Sequence, residues 1–104
     1  MLAERGRLSR ALEVAEQGLS QAEAEFSSRS KDEWEPLRNL VEINACLGEL
    51  LMARESYAEA APYLKAAVYM PIPDEFSLDL FDTLREHADD LLIKCSRHIR
   101  PRLS

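Results

Sequence analysis

A chain of 104 residues suits one compact domain, which buries about two-thirds of the surface its unfolded form exposes. Ala, Leu, Glu and Arg dominate, and no run approaches the roughly 20 apolar residues that a membrane-spanning helix needs. The net charge of −6 is uneven: residues 1–55 carry 7 basic and 11 acidic side chains, residues 56–93 carry 2 and 8, and residues 94–104 carry 4 and none. An acidic body repels the phosphate backbone, so no nucleic-acid partner is expected. The basic end, from Lys94 to Arg102, reads as the solvated end of a helix, where cations interact favourably with the dipole. With no apolar signal core at the amino terminus, the expectation is a soluble, cytoplasmic, all-α domain spanning residues 1–104.

Four helices can be read in chain order. Leu8, Leu12, Ala15, Leu19, Ala22 and Phe26 alternate by fours and threes, so the first helix runs from about Leu2 to Phe26 with one apolar stripe. The polar run Ser27-Ser28-Arg29-Ser30-Lys31 ends it. Asp32 is the expected cap of the second helix, with Glu35 completing a capping box and Pro36 tolerated in the first turn. That helix extends to about Arg54, presenting Leu37, Leu40, Asn44, Leu47 and Leu51 on one face. Asn44 interrupts the stripe and is read as fixing register against a neighbouring helix through a hydrogen bond, or as contacting a ligand.

Ser56-Tyr57-Ala58-Glu59 is a second capping box and opens the third helix, to about Met70. Pro62 inside it predicts a kink or a delayed start, because the ring removes a backbone donor. Pro71 and Pro73 bracket a short connection, and Asp74 is placed to cap the fourth helix. Its buried face is expected to hold Phe76, Leu80, Phe81, Leu84, Ala88, Leu91, Leu92 and Cys95, with an end near Arg97 or His98. Leu78 falls off that stripe, so the start of the helix is apolar nearly all round, which implies packing on two sides by helices of this chain or by another protein; Phe76 and Leu78 are the candidate oligomer interface in the second case. Asp79, Asp82, Glu86, Asp89 and Asp90 give it a solvated side.

The order Asn44-x2-Leu47-Gly48-x2-Leu51, then Tyr57-x2-Ala60-x3-Leu64-x2-Ala67, then Pro71-Ile72-Pro73, resembles a tetratricopeptide repeat over residues 41–74. Gly48, Ala60 and Ala67 match the repeat outright; Asn44, Leu51 and Leu64 stand where it prefers Trp, Tyr and Phe. Gly6-Arg7-Leu8-x2-Ala11-x3-Ala15-x2-Gly18 is similar to the second helix of a preceding repeat. The resemblance implies four antiparallel helices in helical hairpins, with a carboxyl-terminal capping helix. It also allows the chain to be a piece of a longer helical array. Gly48 and Ala60 would then be the pair that lets two helices approach closely.

No catalytic constellation is visible: the carboxylates fall on polar helix faces, and nucleophile-elbow and phosphate-loop glycines are lacking. Cys46 and Cys95 sit among apolar neighbours without metal-ligand spacing and read as two buried, reduced thiols. His87 and His98 read as helix-surface residues. Neither metal nor cofactor is expected, and the chain is not read as an enzyme.

The leading functional expectation, implied by the resemblance, is a protein-interaction module. In this family the first helices of successive repeats line a groove for a peptide or helix, which places Glu42, Ala45, Glu49 and Met52 at the groove. Acidic positions there favour a basic or apolar protein ligand over an acidic tail. Two alternatives are a helical assembly subunit forming an obligate oligomer and a trafficking module similar to the microtubule-interacting-and-transport domain.

Overall fold

The computed structural model describes residues 2–30, 33–73, 76 and 79–99, and among them every regular element is a helix. Helix α1 spans Leu2–Ser27, α2 Glu35–Ala53, α3 Tyr57–Tyr69 and α4 Asp79–His98. The expected caps Asp32 and Asp74, together with Leu78 and the side chain of Leu80, lie outside the described residues. No described helix is long and apolar enough to cross a membrane.

Helix α2 is the spine. α1 packs on α2, α3 packs on α2 and α4, and α4 also returns to α2. Among the described residues the backbone of α1 approaches that of α2 alone, which stretches the molecule. The radius of gyration is 14.9 Å, against about 13 Å for a compact domain of this length.

Two core clusters are strung along α2. Its first half contributes Leu37, Val41 and Ala45 to a cluster with Ala67, Phe76, Phe81 and Ala88. Its second half contributes Leu47 and Leu51 to a cluster with Leu12 and Ala15 of α1, Ala60 and Leu64 of α3, and Leu92 and Cys95 of α4. The 3–4 alternation read in α1 is borne out, with Leu12, Ala15 and Ala22 buried and Leu8, Leu19 and Phe26 half-buried.

Local details depart from expectation in ways that physics explains. α2 starts at Glu35 with Trp34 at the cap position and no side-chain cap bond; Pro36 sits in the first turn. Trp34 packs against the first core cluster, so apolar burial contributes to fixing this helix entry. Ser56 occupies the cap position of α3 but makes no side-chain cap bond either. Pro62 does not delay α3, which runs from Tyr57 through it to Tyr69.

Asn44 is buried, yet its Nδ2 donates to the Leu40 carbonyl of its own helix at 2.8 Å, so this bond ties no neighbouring helix. The nearest neighbour of Gly48 is Leu64. A Cβ built at position 48 would lie 2.4 Å from Leu64 Cγ and Cδ2, and Leu64 is fully buried.

The α2–α3 turn closes as a Schellman motif. Glu55 N donates to Met52 O at 2.9 Å and Ser56 N to Leu51 O at 2.8 Å, with Glu55 in the left-handed region at φ 63°. At the other end, the Arg85 guanidinium of α4 donates to the Met70 carbonyl, satisfying the end of α3. The Cys95 thiol donates to Tyr57 O at 3.1 Å, and His98 stacks on the Tyr57 ring with centroids 4.1 Å apart. The end of α4 is thereby pinned to the start of α3.

Phe76 is a correction. Its side chain is buried in its own chain beside Phe81, Val41 and Ala67, and so anchors the proline connection rather than offering an oligomer surface.

Candidate functional site

Because α4 lies beside α2, the two helices enclose a groove of about 260 Å³ lined by Glu42, Ala45, Cys46, Glu49, Leu50, Leu84 and His87. Leu50, Leu84 and Ala45 form its apolar floor, Ala45 being a core residue only 4% exposed. Glu42 and Glu49, two turns apart on the exposed side of α2, form one rim. His87 of α4 stands at the opposite rim, its Nε2 2.8 Å from Glu49 Oε2. Glu42 pairs along its own helix with Arg38 at 3.1 Å.

Three of the four residues expected at a groove, Glu42, Ala45 and Glu49, thus come together. Met52 does not line it; it is half-buried against the second core cluster, one turn beyond the groove. His87 was legible as a surface residue, but its partner Glu49 lies 38 positions away, a separation no local pattern reveals.

Cys46 also corrects the sequence reading, since it is exposed on the ridge of α2. Partial desolvation chiefly, and then the charges of Glu49 and Glu42, push its thiol pKa up. The thiol therefore stays protonated and is a weak nucleophile. Cys95 is buried as expected, and burial raises its pKa as well.

A second groove, of about 390 Å³, runs between α1 and α2 and is lined by Gly18, Gln21, Ala22, Glu25, Asn39, Glu42, Ile43 and Cys46. Elsewhere Tyr69 and Ile93 meet at an open hollow between α3 and α4. Among the described residues no group of His, Cys, Asp or Glu is arranged to hold a metal ion.

Comparisons with family models, with curated proteins and with solved structures find no match to this chain.

Proposed function

We propose that this chain is a protein-interaction module of tetratricopeptide type, whose α2–α4 groove takes a peptide or helix bearing an apolar residue flanked by Lys or Arg. The observation that carries the proposal is an apolar floor between two helices with carboxylates on its rim. A ligand side chain gains by burying apolar surface on Leu50 and Leu84, while its cations meet Glu42 and Glu49. The packing order supports the family reading: α2 and α3 form the hairpin, and α4 packs on both, as the first helix of a following repeat would. α4 would then serve as the capping helix.

The groove suits binding rather than catalysis. Its thiol is held protonated, and at about 260 Å³ it is smaller than the roughly 300–1,000 Å³ of small-molecule sites. A cytoplasmic setting belongs to the same proposal, and two free thiols suit it. A three-helix trafficking module accounts for less of the chain, because α4 supplies Phe81, Ala88, Leu92 and Cys95 to the core.

An amphipathic peptide of Leu and Lys, titrated into labelled protein, tests the proposal by amide chemical-shift mapping. Shifts clustered at Glu42, Glu49, Leu84 and His87, weakened by Glu42→Lys with Glu49→Lys and missing with a Leu and Glu peptide, are expected. Shifts elsewhere, or equal shifts from both peptides, would overturn it.

A further inference from the structure

The α1–α2 groove presents Glu25 and Glu42 and no basic residue in its lining, and Gly18 lines it without a side chain. A Cβ at position 18 would meet Ile43 Cδ1 at 3.2 Å, so Ile43 of α2 fills the space beside Gly18 and offers an apolar surface there. One turn before Gly18 on the same helix, Val14 is 62% exposed. Among the described residues the backbone of α1 lies against that of α2 alone. At 100° per residue, Arg7, Ala11, Val14, Gly18, Gln21 and Glu25 fall on one stripe, to one side of the buried stripe.

That stripe is complementary to itself when reversed. Arg7, with Arg10 beside it, stands at one end of the stripe and Glu25 at the other; Glu13, Glu16 and Glu23 face away from it at 100° per residue. An antiparallel copy sets Arg7 against Glu25, Ala11 against Gln21 and Val14 against Gly18, and a two-fold axis repeats each contact in the other direction. Val14 of one copy then lies over Gly18 and Ile43 of the other, while Arg7 and Arg10 meet the acidic groove. A parallel copy would place like charges and like shapes together.

We infer that α1 is a homodimerisation surface, with a second copy of this chain seated antiparallel in the α1–α2 groove. From Arg7 to Glu25 the stripe is about 27 Å long, so the contact falls at the small end of specific interfaces and its dissociation constant is on the order of micromolar. Its charged ends make it weaken with salt. The inference does not depend on the α2–α4 groove, which lies on the other side of Glu42 and Cys46.

Sedimentation of the full chain in reductant, over concentrations up to about 1 mM, tests it with two charge variants. Arg7→Glu with Arg10→Glu makes the stripe acidic at both ends, and Gln21→Lys with Glu25→Lys makes it basic at both ends. All four residues are exposed, so circular dichroism of each variant should match the parent. The parent is expected to dimerise reversibly, each variant alone to dissociate at least about tenfold more readily, and an equimolar mixture of the two to recover a heterodimer. Val14→Asp, which alters no buried residue, should also be monomeric. A parent that stays monomeric throughout, variants that dimerise as well as the parent, or a mixture that fails to associate would each overturn the inference.

Discussion

Gly48→Ala adds a single methyl group where α2 meets Leu64 of α3. The new Cβ would stand 2.4 Å from two atoms of Leu64, where ordinary contact begins at 3.4 Å, so α2 and α3 must part by about 1 Å or Leu64 must leave its rotamer. Leu64 is 0% exposed and packed among Leu47, Leu51 and Ala60, so neither response is free. Overpacking of this kind costs about 1–3 kcal/mol, offset by about 1 kcal/mol because alanine is the better helix former. The net loss is about 1 kcal/mol, equivalent to a fall of roughly 4–8 °C in Tm.

Urea unfolding of Gly48→Ala, Leu64→Ala and the double variant separates the two effects. Leu64→Ala alone should cost about 2–5 kcal/mol through its cavity. In the Gly48→Ala background it should cost about 1–3 kcal/mol less, because the clash disappears with the side chain. Gly6→Ala is the control: no atom lies within 4 Å of its added Cβ, so helix propensity acts alone and stability should rise by about 0.5–1 kcal/mol. A Gly48→Ala protein more stable than the parent, or a cycle that is additive, would refute this account of the hairpin.

Glu55→Gly should stabilise the protein by about 1 kcal/mol in the same unfolding assay, since the left-handed backbone at φ 63° costs a side-chain-bearing residue and glycine nothing. Cys46 should alkylate more slowly than a free thiol at neutral pH, and Glu42→Gln with Glu49→Gln should speed it by removing the two charges that raise its pKa. Cys95 has a folded pKa above its unfolded value, so its contribution to stability is complete below the unfolded thiol pKa and is lost as pH rises through the folded one; urea midpoints should fall in that alkaline window. His87→Ala should cost no more than about 1 kcal/mol, because the pair with Glu49 is solvent-exposed.

Periodicity made the four helices legible, because each buries a stripe wide enough to imprint a 3–4 spacing on the sequence. The stripes of α1 and α2 and the end of α4 lie where the pattern puts them. What escaped was set by contacts between distant residues. Leu64 stands nearest to Gly48, although the motif points to Ala60 as its small-residue partner. Cys46 looks apolar in a run of Ala45, Leu47 and Gly48, but its position on the helix faces away from the core. Phe76 precedes α4 and is carried inward by the proline turn, with its N–H donating to Pro73 O at 3.1 Å, so helical spacing could not place it. At the groove, Glu42, Ala45 and Glu49 followed from their positions on one helix; the contribution of α4, Leu84 and His87, required knowing which helices are neighbours.

Attachment of α1 through one neighbour divides the molecule into regions of unequal protection. Among the described residues, detaching α1 separates its backbone from that of α2 alone, while the packing of α2, α3 and α4 on one another is kept. Local opening of this kind needs less free energy than global unfolding, so amide hydrogens of α1 should exchange with solvent ahead of those in α2. The three-helix remainder would then be a native-like intermediate in which Leu47 and Leu51 lose Leu12 and Ala15 but retain Ala60 and Leu64.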